Sequence, residues 1–303
     1  MPQNSFAPAV VPETIPDTPQ RNTFVPAWPA VILGLALMLP YARVIMKLVY
    51  DWWMIPDFSH GFLVPLFSGY LLWSKRHVLR DTVSAPSLLG FPILLTAMSL
   101  LIVGTFGAEL FLTRISLVLS LVGVTVLFFG WRHLRIAAFP IAVLLLAVPI
   151  PAIIFNQITF PLQILASQLA SKILPLFDVP VLREGNVIQL PAMPLEVAEA
   201  CSGIRSLMSL GTLAIFYGYF LEKSNFKRIL LVLLSVPIAV AANALRIVGT
   251  GLCVQYWDPD KALGFFHEFS GWVVFMVSLL FLYAAHKVMT MRRTASRTQV
   301  VVA

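Results

Sequence analysis

Long apolar runs separated by short polar loops recur along almost the whole chain. A bilayer core of about 30 Å requires about 20 apolar residues per spanning helix, and most of these runs reach that length. The second run is short for a full span. Eight runs are candidate membrane helices, at about 28–50, 60–74, 87–106, 109–130, 135–155, 202–221, 228–252 and 270–288. The pattern predicts an all-α, polytopic integral membrane protein.

Two segments between the fifth and sixth runs depart from this pattern. Residues 157–177 predict an amphipathic helix that is interfacial or re-entrant. Its polar residues share one side of a helical projection: Gln157, Gln168, Ser171 and Lys172. Residues 178–196 contain the stretch "PVLREGNVIQL", which predicts a small extended hairpin that turns at 184–186.

The basic residues predict the orientation of the chain in the membrane. Lys and Arg collect after the second, fourth, sixth and eighth runs. Basic loops resist translocation, so every even-numbered helix is expected to end in the cytoplasm. Both termini are then cytoplasmic. The loops at 51–59, 156–201 and 253–269, which carry acidic residues instead, are expected to face outward.

The composition supports a membrane protein and argues against several other classes. Hydrophobic residues make up 59% of the 303 residues and charged residues only 12%; the mean hydropathy is +0.87, far above that of soluble domains. The net charge of +7 comes from short clusters without a basic face, which argues against nucleic-acid binding. The two cysteines lie in no zinc-binding pattern and the sequence has no phosphate-binding loop, so no metal or cofactor is predicted.

The chain is expected to have three regions. The first 27 residues lack the basic start and the apolar core of a cleaved signal peptide. We therefore interpret 1–27 as a disordered cytoplasmic tail, 28–290 as one transmembrane domain and 291–303 as a basic cytoplasmic tail.

The stretch "LEVAEACSGIRSL" places Cys201 at the outer end of the sixth run. The unpaired N–H groups of a helix N-terminus favour the thiolate, so this position favours a nucleophile. One alternative is a small apolar residue buried by packing. Another is a structural disulfide between Cys201 and Cys253, because both are expected to face an oxidising compartment.

The seventh run carries an arginine in "ANALRIVGTG". Arg246 lies about six residues, or roughly 9 Å, below the outer end of that run. A charge at this depth is costly without a polar partner, which makes it a functional candidate. Asn243 and Thr250 extend a polar stripe along the same face. The alternative is a structural arginine that pairs with Glu199 or Glu268.

His267 opens the eighth run in "FFHEFSGW", at the membrane level of Cys201. An imidazole can take the thiol proton and return it to a leaving amine, while the guanidinium of Arg246 can bind an oxyanion. These three residues suffice for acyl transfer. His60 in "DFSHGF", beside Asp57, also faces outward and is a rival general base. The alternative is that Asp51, Asp57 and His60 bind substrate or cap the short second helix.

Several of these segments resemble the signature blocks of the exosortase/archaeosortase transpeptidases. The three blocks are "EACSGIRSL" at 199–207, "NALRI" at 243–247 and "HEFSGW" at 267–272. Two further segments are similar to exosortases: "WWMIPDFSHGFLVPL" at 52–66 and "PIPAIIFNQITFPLQ" at 149–163. The resemblance extends from about residue 30 to residue 290.

This resemblance implies a bacterial inner-membrane cysteine transpeptidase. It would cleave C-terminal sorting signals of the PEP-CTERM type from exported proteins at the periplasmic face, with Cys201 forming an acyl-thioester. Arg246 and His267 match the family's other two catalytic positions, the latter being arginine in archaeal relatives. Because a guanidinium is a poor proton source, we assign oxyanion binding to Arg246 and proton transfer to His267.

The resemblance also implies supporting residues and partners. Candidates for substrate binding or support are Glu199, Arg205, Asn243 and His60. The implied partners are substrate proteins with a C-terminal transmembrane helix, together with membrane lipids.

A second hypothesis is a non-enzymatic transporter or assembly factor for exopolysaccharide. Arg246 and Arg114 both lie within predicted spans, where they would line a path for an anionic substrate. Arg114 lies outside every signature block, and a simple pair with Glu109 is its alternative. A transporter is expected to show internal repeat symmetry, and we find none in the sequence.

Overall fold

The computed structural model describes residues 39–197, 204–257 and 265–301, together with the isolated positions 32 and 36. For 265–268 and 291–301 it describes the backbone alone. Cys201 and Glu199 lie outside the described residues.

The described chain is mostly helical. Its α-helices are α1 (Ala42–Met54), α2 (Leu63–Ser74), α3 (Arg76–Asp81), α4 (Gly90–Phe106), α5 (Leu110–Phe128), α6 (Trp131–Val143), α7 (Ala152–Ile173), α8 (Ile204–Leu221), α9 (Asn225–Tyr256) and α10 (Phe265–Val301). Short 3-10 helices cover Leu39–Tyr41, Pro56–Phe62, Leu144–Ala147 and Leu174–Phe177. Three strands, β1 (Leu182–Glu184), β2 (Val187–Gln189) and β3 (Pro194–Glu196), form one small antiparallel sheet in that order.

Four helices among the described residues are long and apolar enough to cross a membrane. They are α5, α8, α9 and the part of α10 from Phe269 to Thr290. A fifth span is counted if Trp131–Ala147 and Ala152–Phe177, which meet at an angle of 76°, form one broken span. These helices confirm a polytopic membrane protein. They do not confirm the predicted number of eight spans.

The predicted fifth span at 135–155 is interrupted in the structure. The helical chain stops at Ala147 and a new helix begins at Ala152. Pro149 and Pro151 lie in this break, and a proline has no N–H to donate to a helix. Residues 157–177, predicted as a separate amphipathic helix, therefore belong to α7 and to the 3-10 turn that follows it.

The predicted hairpin at 178–196 is present, with one strand more than expected. Glu184 pairs with Val187 across the turn, and Gly185 has φ +64°, a left-handed conformation that glycine adopts without strain. The additional strand, β3, adds to the sheet through the pair Ile188 and Leu195.

The sheet packs against α7 and α9 through one apolar core. This core contains Ala166, Ala170, Leu174, Ile188, Leu190, Leu195, Val197, Ile247, Val248 and Val254. The packing holds β3, the last described strand before the Cys201 segment, against α9, the helix that carries Arg246.

A buried ion pair joins α1 to α5. Arg114 is 4% exposed and Asp51 5%, and the guanidinium donates to the Asp51 carboxylate. Lys47 also approaches that carboxylate, at 2.9 Å. The expected pair between Arg114 and Glu109 is wrong, because Glu109 instead caps α5 by accepting a hydrogen bond from the Phe111 N–H at 3.2 Å.

Candidate active site

The beginning of α8, three residues after Cys201, is held by the segment Pro56–Phe62. Ile204, the first residue of α8, is buried in an apolar cluster that also contains Trp52 and Phe58. Beside it, the Nε of Arg205 donates to Oδ1 of Asp57 at 3.2 Å. Arg205, a predicted supporting residue, therefore connects α8 to this segment.

The segment is fixed in turn against Trp52. The indole Nε1 donates to the backbone oxygen of Ala147 at 2.8 Å. A Cβ at Gly61 would lie 2.3 Å from the same nitrogen, so only glycine fits at this position. The sequence "SHG" thus places a glycine where the chain approaches a buried tryptophan, immediately after His60.

His60 is buried, with 6% exposure, and lies outside the helices that qualify as spans. Its Nε2 is 3.2 Å from the backbone oxygen of Leu146, a contact that assigns the proton to Nε2. Burial lowers the pKa of His60, although the carbonyls of Leu146 and Asp57 act in the opposite direction. Among the described residues its Nδ1 meets no hydrogen-bond partner. Burial therefore favours the neutral form of the ring.

Arg246 lies deeper in its helix than the sequence predicted. Because α9 continues to Tyr256, ten residues, or about 15 Å, separate Arg246 from the end of the helix. The side chain is half-buried. Its Nε donates to Oγ of Ser270 in α10 at 3.4 Å, and its Cζ lies 3.4 Å from the position that a Cβ of Gly271 would take. The guanidinium therefore lies close against the backbone of α10.

The predicted polar stripe on α9 faces inward. Asn243 is 2% exposed and Thr250 8%. Arg246 and Thr250 line a cavity of about 10 Å³ together with Leu195, Glu196, Val197 and Ile247. That volume is about the size of one water molecule. The cavity matters because Val197 is the last described residue before the Cys201 segment.

The described residues bring part of the predicted site together. Arg246 contacts α10 at Ser270, three residues beyond His267, so the two positions on α10 are about 4.5 Å apart along the helix axis. The backbone at His267 is helical, whereas its side chain, Cys201 and Glu199 lie outside what the structure describes. His60 and Arg205 lie instead where Pro56–Phe62 meets the beginning of α8.

Two contacts of the site were not predicted from the sequence. Ser270 stands inside the quoted block "HEFSGW", and its i+3 spacing from His267 is the signal that would have indicated it. The pair of Asp57 with Arg205 joins two other quoted blocks, 148 residues apart, and no local pattern indicates it.

Cys253 is a free, half-buried thiol in the structure, and Cys201, its partner in the alternative disulfide, lies outside the described residues. Cys253 packs beside the core between the sheet and α9. Within the described part of the chain, no group of three or more His, Cys, Asp or Glu side chains is arranged to hold a metal ion.

Comparison with known proteins supports a family assignment. The family of transmembrane exosortases matches the chain over residues 52–284. This range includes Pro56–Phe62, β3, α8, α9 and the first part of α10. No curated protein matches the chain, and no solved structure does. The match covers most of the chain, and the chain therefore belongs to the transmembrane exosortase family.

Proposed function

We propose that the protein is a cysteine transpeptidase of the bacterial inner membrane that cleaves C-terminal PEP-CTERM-type sorting signals from exported proteins. Family membership supports a protease or transpeptidase in general. The thiol nucleophile rests on Cys201, which the sequence places directly before α8. The distribution of Lys and Arg supports an active site at the periplasmic face, with both termini in the cytoplasm.

The observation that carries this proposal is the placement of Arg246. A half-buried guanidinium within an apolar span requires polar partners, and Ser270 of α10 is one of them. The same guanidinium lines a cavity with Val197, four residues before Cys201. Arg246 thus lies between the helix that contains His267 and the chain that leads into the cysteine.

The proposed reaction has two halves. The Cys201 sulfur attacks the scissile carbonyl while its proton passes to His267, and the oxyanion that forms is bound by Arg246. Collapse of this intermediate breaks the C–N bond, and the leaving amine takes the proton from His267. An amine or water then attacks the thioester, which releases the sorted protein and restores the thiol.

We assign the proton transfer to His267 and a supporting role to His60. The imidazole of His60 is buried and bonded to the carbonyl of Leu146, and its neighbour Asp57 is engaged by Arg205. These contacts suit a residue that shapes the beginning of α8. Loss of all processing in His60→Ala, with retention in His267→Ala, would reverse the assignment.

The substrate is proposed to enter laterally from the membrane. A C-terminal apolar helix with a basic end would lie parallel to the even-numbered helices of the enzyme, with its basic end in the cytoplasm. Its cleavage site would then reach the outer face. Glu199 and Asn243 remain candidates for contacts to the sorting motif.

The experiment that tests this function follows a tagged substrate with the sorting tail in membranes that contain the enzyme. Cys201→Ala and Cys201→Ser should abolish processing, whereas Cys253→Ala should process normally because Cys253 is a packing residue. Mass spectrometry of the wild-type enzyme should detect an acyl adduct on the peptide that contains Cys201. Undiminished processing by both Cys201 variants would refute the proposal.

The structure weakens the transporter hypothesis at Arg114, the second of the two arginines on which it rests. Arg114 donates to Asp51 in a buried pair between α1 and α5, so its guanidinium is engaged by a neighbouring helix. This contact supports a structural role for Arg114.

A further inference from the structure

A membrane-facing cavity lies at the end of α8 and α9 opposite to their Cys201 and Arg246 end. Its volume is about 250 Å³, and Phe139, Ile215, Tyr219, Arg228, Ile229, Val232 and Leu233 line it. Ile229 and Leu233 are 60% and 61% exposed, so the cavity opens sideways toward the surface that the bilayer would cover. We propose that it binds an anionic phospholipid, with the phosphate at Arg228 and an acyl chain against the apolar wall.

The cavity has a polar end and an apolar end. Arg228 lies three residues into α9, whereas Val232 and Leu233 lie four and five residues further along, or about 6–7.5 Å deeper. A phospholipid has the same order of groups along the membrane normal, with its charged headgroup outside its acyl chains. The lining therefore matches the occupant in both polarity and direction.

Arg228 retains donors that a phosphate can use. Its Nε donates to the backbone oxygen of Glu222 at 2.8 Å, Nη1 to Oδ1 of Asn225 at 3.3 Å and Nη2 to the backbone oxygen of Tyr219 at 3.3 Å. These bonds use three of the five N–H groups of a guanidinium and leave one on each terminal nitrogen. The three bonds fix the plane of the guanidinium, so the remaining donors are already oriented.

A second cation lies beside the same ring. The Nζ of Lys75 is 6.0 Å from the centroid of the Tyr219 ring and the Cζ of Arg228 is 5.1 Å from it. Lys75 donates to the backbone oxygen of Ile136, which leaves further N–H groups on the ammonium. The ring of Tyr219 thus lies near two cationic side chains, with Arg228 in the wall of the cavity and Lys75 outside the residues that line it.

Neither cation is neutralised by a carboxylate in the described part of the chain. Glu222 offers Arg228 only its backbone oxygen, because its side chain binds Lys227 and His286. Basic pockets between membrane helices at the predicted cytoplasmic side are suited to anionic headgroups. A substrate helix is a poorer match, since a helix with side chains is about 10–12 Å wide and would require a longer groove.

The test uses the purified full-length protein in mild detergent and measures bound lipid by native mass spectrometry. Phosphatidylglycerol is titrated against phosphatidylcholine, and inorganic phosphate is added as a competitor. Phosphatidylglycerol should bind more tightly, and phosphate at millimolar concentration should displace little of it, because the acyl chain contributes to binding. Equal affinities for the two lipids would overturn the proposal, as would full displacement by phosphate.

Variants locate the lipid on the protein. Lys75→Gln and Arg228→Gln should each weaken phosphatidylglycerol binding about fivefold, the effect of one cation near the membrane surface. Leu233→Trp should weaken binding of both lipids by filling the apolar end. The matched control is Arg80→Gln, which removes an exposed cation outside the cavity and should change nothing. Weakening by Arg80→Gln equal to that of the other variants would indicate nonspecific attraction and overturn the site.

Arg228 also connects α8 to α9, so its variant tests folding as well as binding. Lys75→Gln and Leu233→Trp carry the test if Arg228→Gln folds poorly. A photo-crosslinking amino acid at position 233 identifies the occupant in native membranes. A lipid adduct supports the proposal, whereas a crosslinked protein or a dimer of the enzyme would overturn it.

Discussion

The exchange of Arg246 for lysine provides the sharpest test of the proposed chemistry, because it keeps the charge and removes the planar fork of donors. In the structure the Nε–H is directed to Ser270, and in the proposed mechanism the terminal nitrogens bind the oxyanion. A lysine cannot hold both contacts, since its ammonium is one point at the end of a flexible chain.

The expected effect of Arg246→Lys follows from the loss of the bond to Ser270 and the loss of a donor to the oxyanion. The bond to Ser270 is long, at 3.4 Å, so its loss is worth about 1 kcal/mol, or about fivefold in rate. Loss of one oxyanion donor typically slows an acyl-transfer reaction by about 100- to 1000-fold. We therefore expect Arg246→Lys to process substrate at least about 100 times more slowly, and Ser270→Ala about five times more slowly.

The assay is a pulse-chase measurement of the initial rate at which the tagged precursor disappears, normalised to the amount of enzyme in the membrane. Arg43→Lys is the matched control, because it makes the same change at an exposed position on α1. A rate for Arg246→Lys within twofold of the wild-type rate would refute the role of the guanidinium in binding the oxyanion.

A steric change tests the same position without altering any charge. Gly271→Val would place carbon atoms against the guanidinium of Arg246, which lies 3.4 Å from the Cβ position. We expect about a tenfold loss of rate, between the effects of Ser270→Ala and Arg246→Lys. Gly249→Val, whose Cβ would meet open space, is the control and should retain the wild-type rate.

The remaining predictions concern stability. Gly61→Ala should lower the thermal unfolding temperature in detergent, because its Cβ would collide with Trp52; an unchanged temperature would contradict this packing. Burial alone would raise the pKa of Glu222, but hydrogen bonds from His286 and Lys227 outweigh it and lower the pKa below 4.5. Glu222→Gln should therefore cost about 1–3 kcal/mol at pH 7. The difference should shrink as the pH falls below about 4.5, where the wild-type carboxylate gains its proton; a difference independent of pH would contradict this.

Hydropathy predicted the long helices well, because α5, α8 and α9 are apolar enough to be recognised without their neighbours. It failed where two prolines interrupt an apolar run, since hydropathy measures composition and not hydrogen-bonding capacity. The hydropathy pattern likewise extends the second predicted helix back to residue 60, whereas that helix begins only at Leu63. The conformation of Pro56–Phe62 depends on contacts with Trp52 and Arg205, which lie outside the local pattern.

Arg246 could be selected from the sequence as a candidate functional residue because a charge in an apolar span requires a polar partner. Its contact with Ser270 could not be predicted, because the facing residue depends on the rotation of α10 against α9. The same limit applies to Arg114, for which the sequence suggested the nearby Glu109. Tertiary packing selected Asp51 instead, and only the structure brings these two helices together.

The rotation of α10 against α9 is fixed by polar contacts. Apolar packing between membrane helices has little hydrophobic driving force, so polar contacts contribute much of the specificity. At one end Glu222, which follows α8, binds Lys227 of α9 and His286 of α10. At the other end, about 24 Å away along α10, Arg246 binds Ser270. Two polar contacts so far apart leave α10 a single rotation against α9, because a slip of one residue would turn Ser270 by about 100° away from Arg246. In the proposed mechanism the network around Glu222 therefore supports catalysis, because it keeps the α10 face with Ser270 and Gly271 against the guanidinium from the opposite end of the bundle.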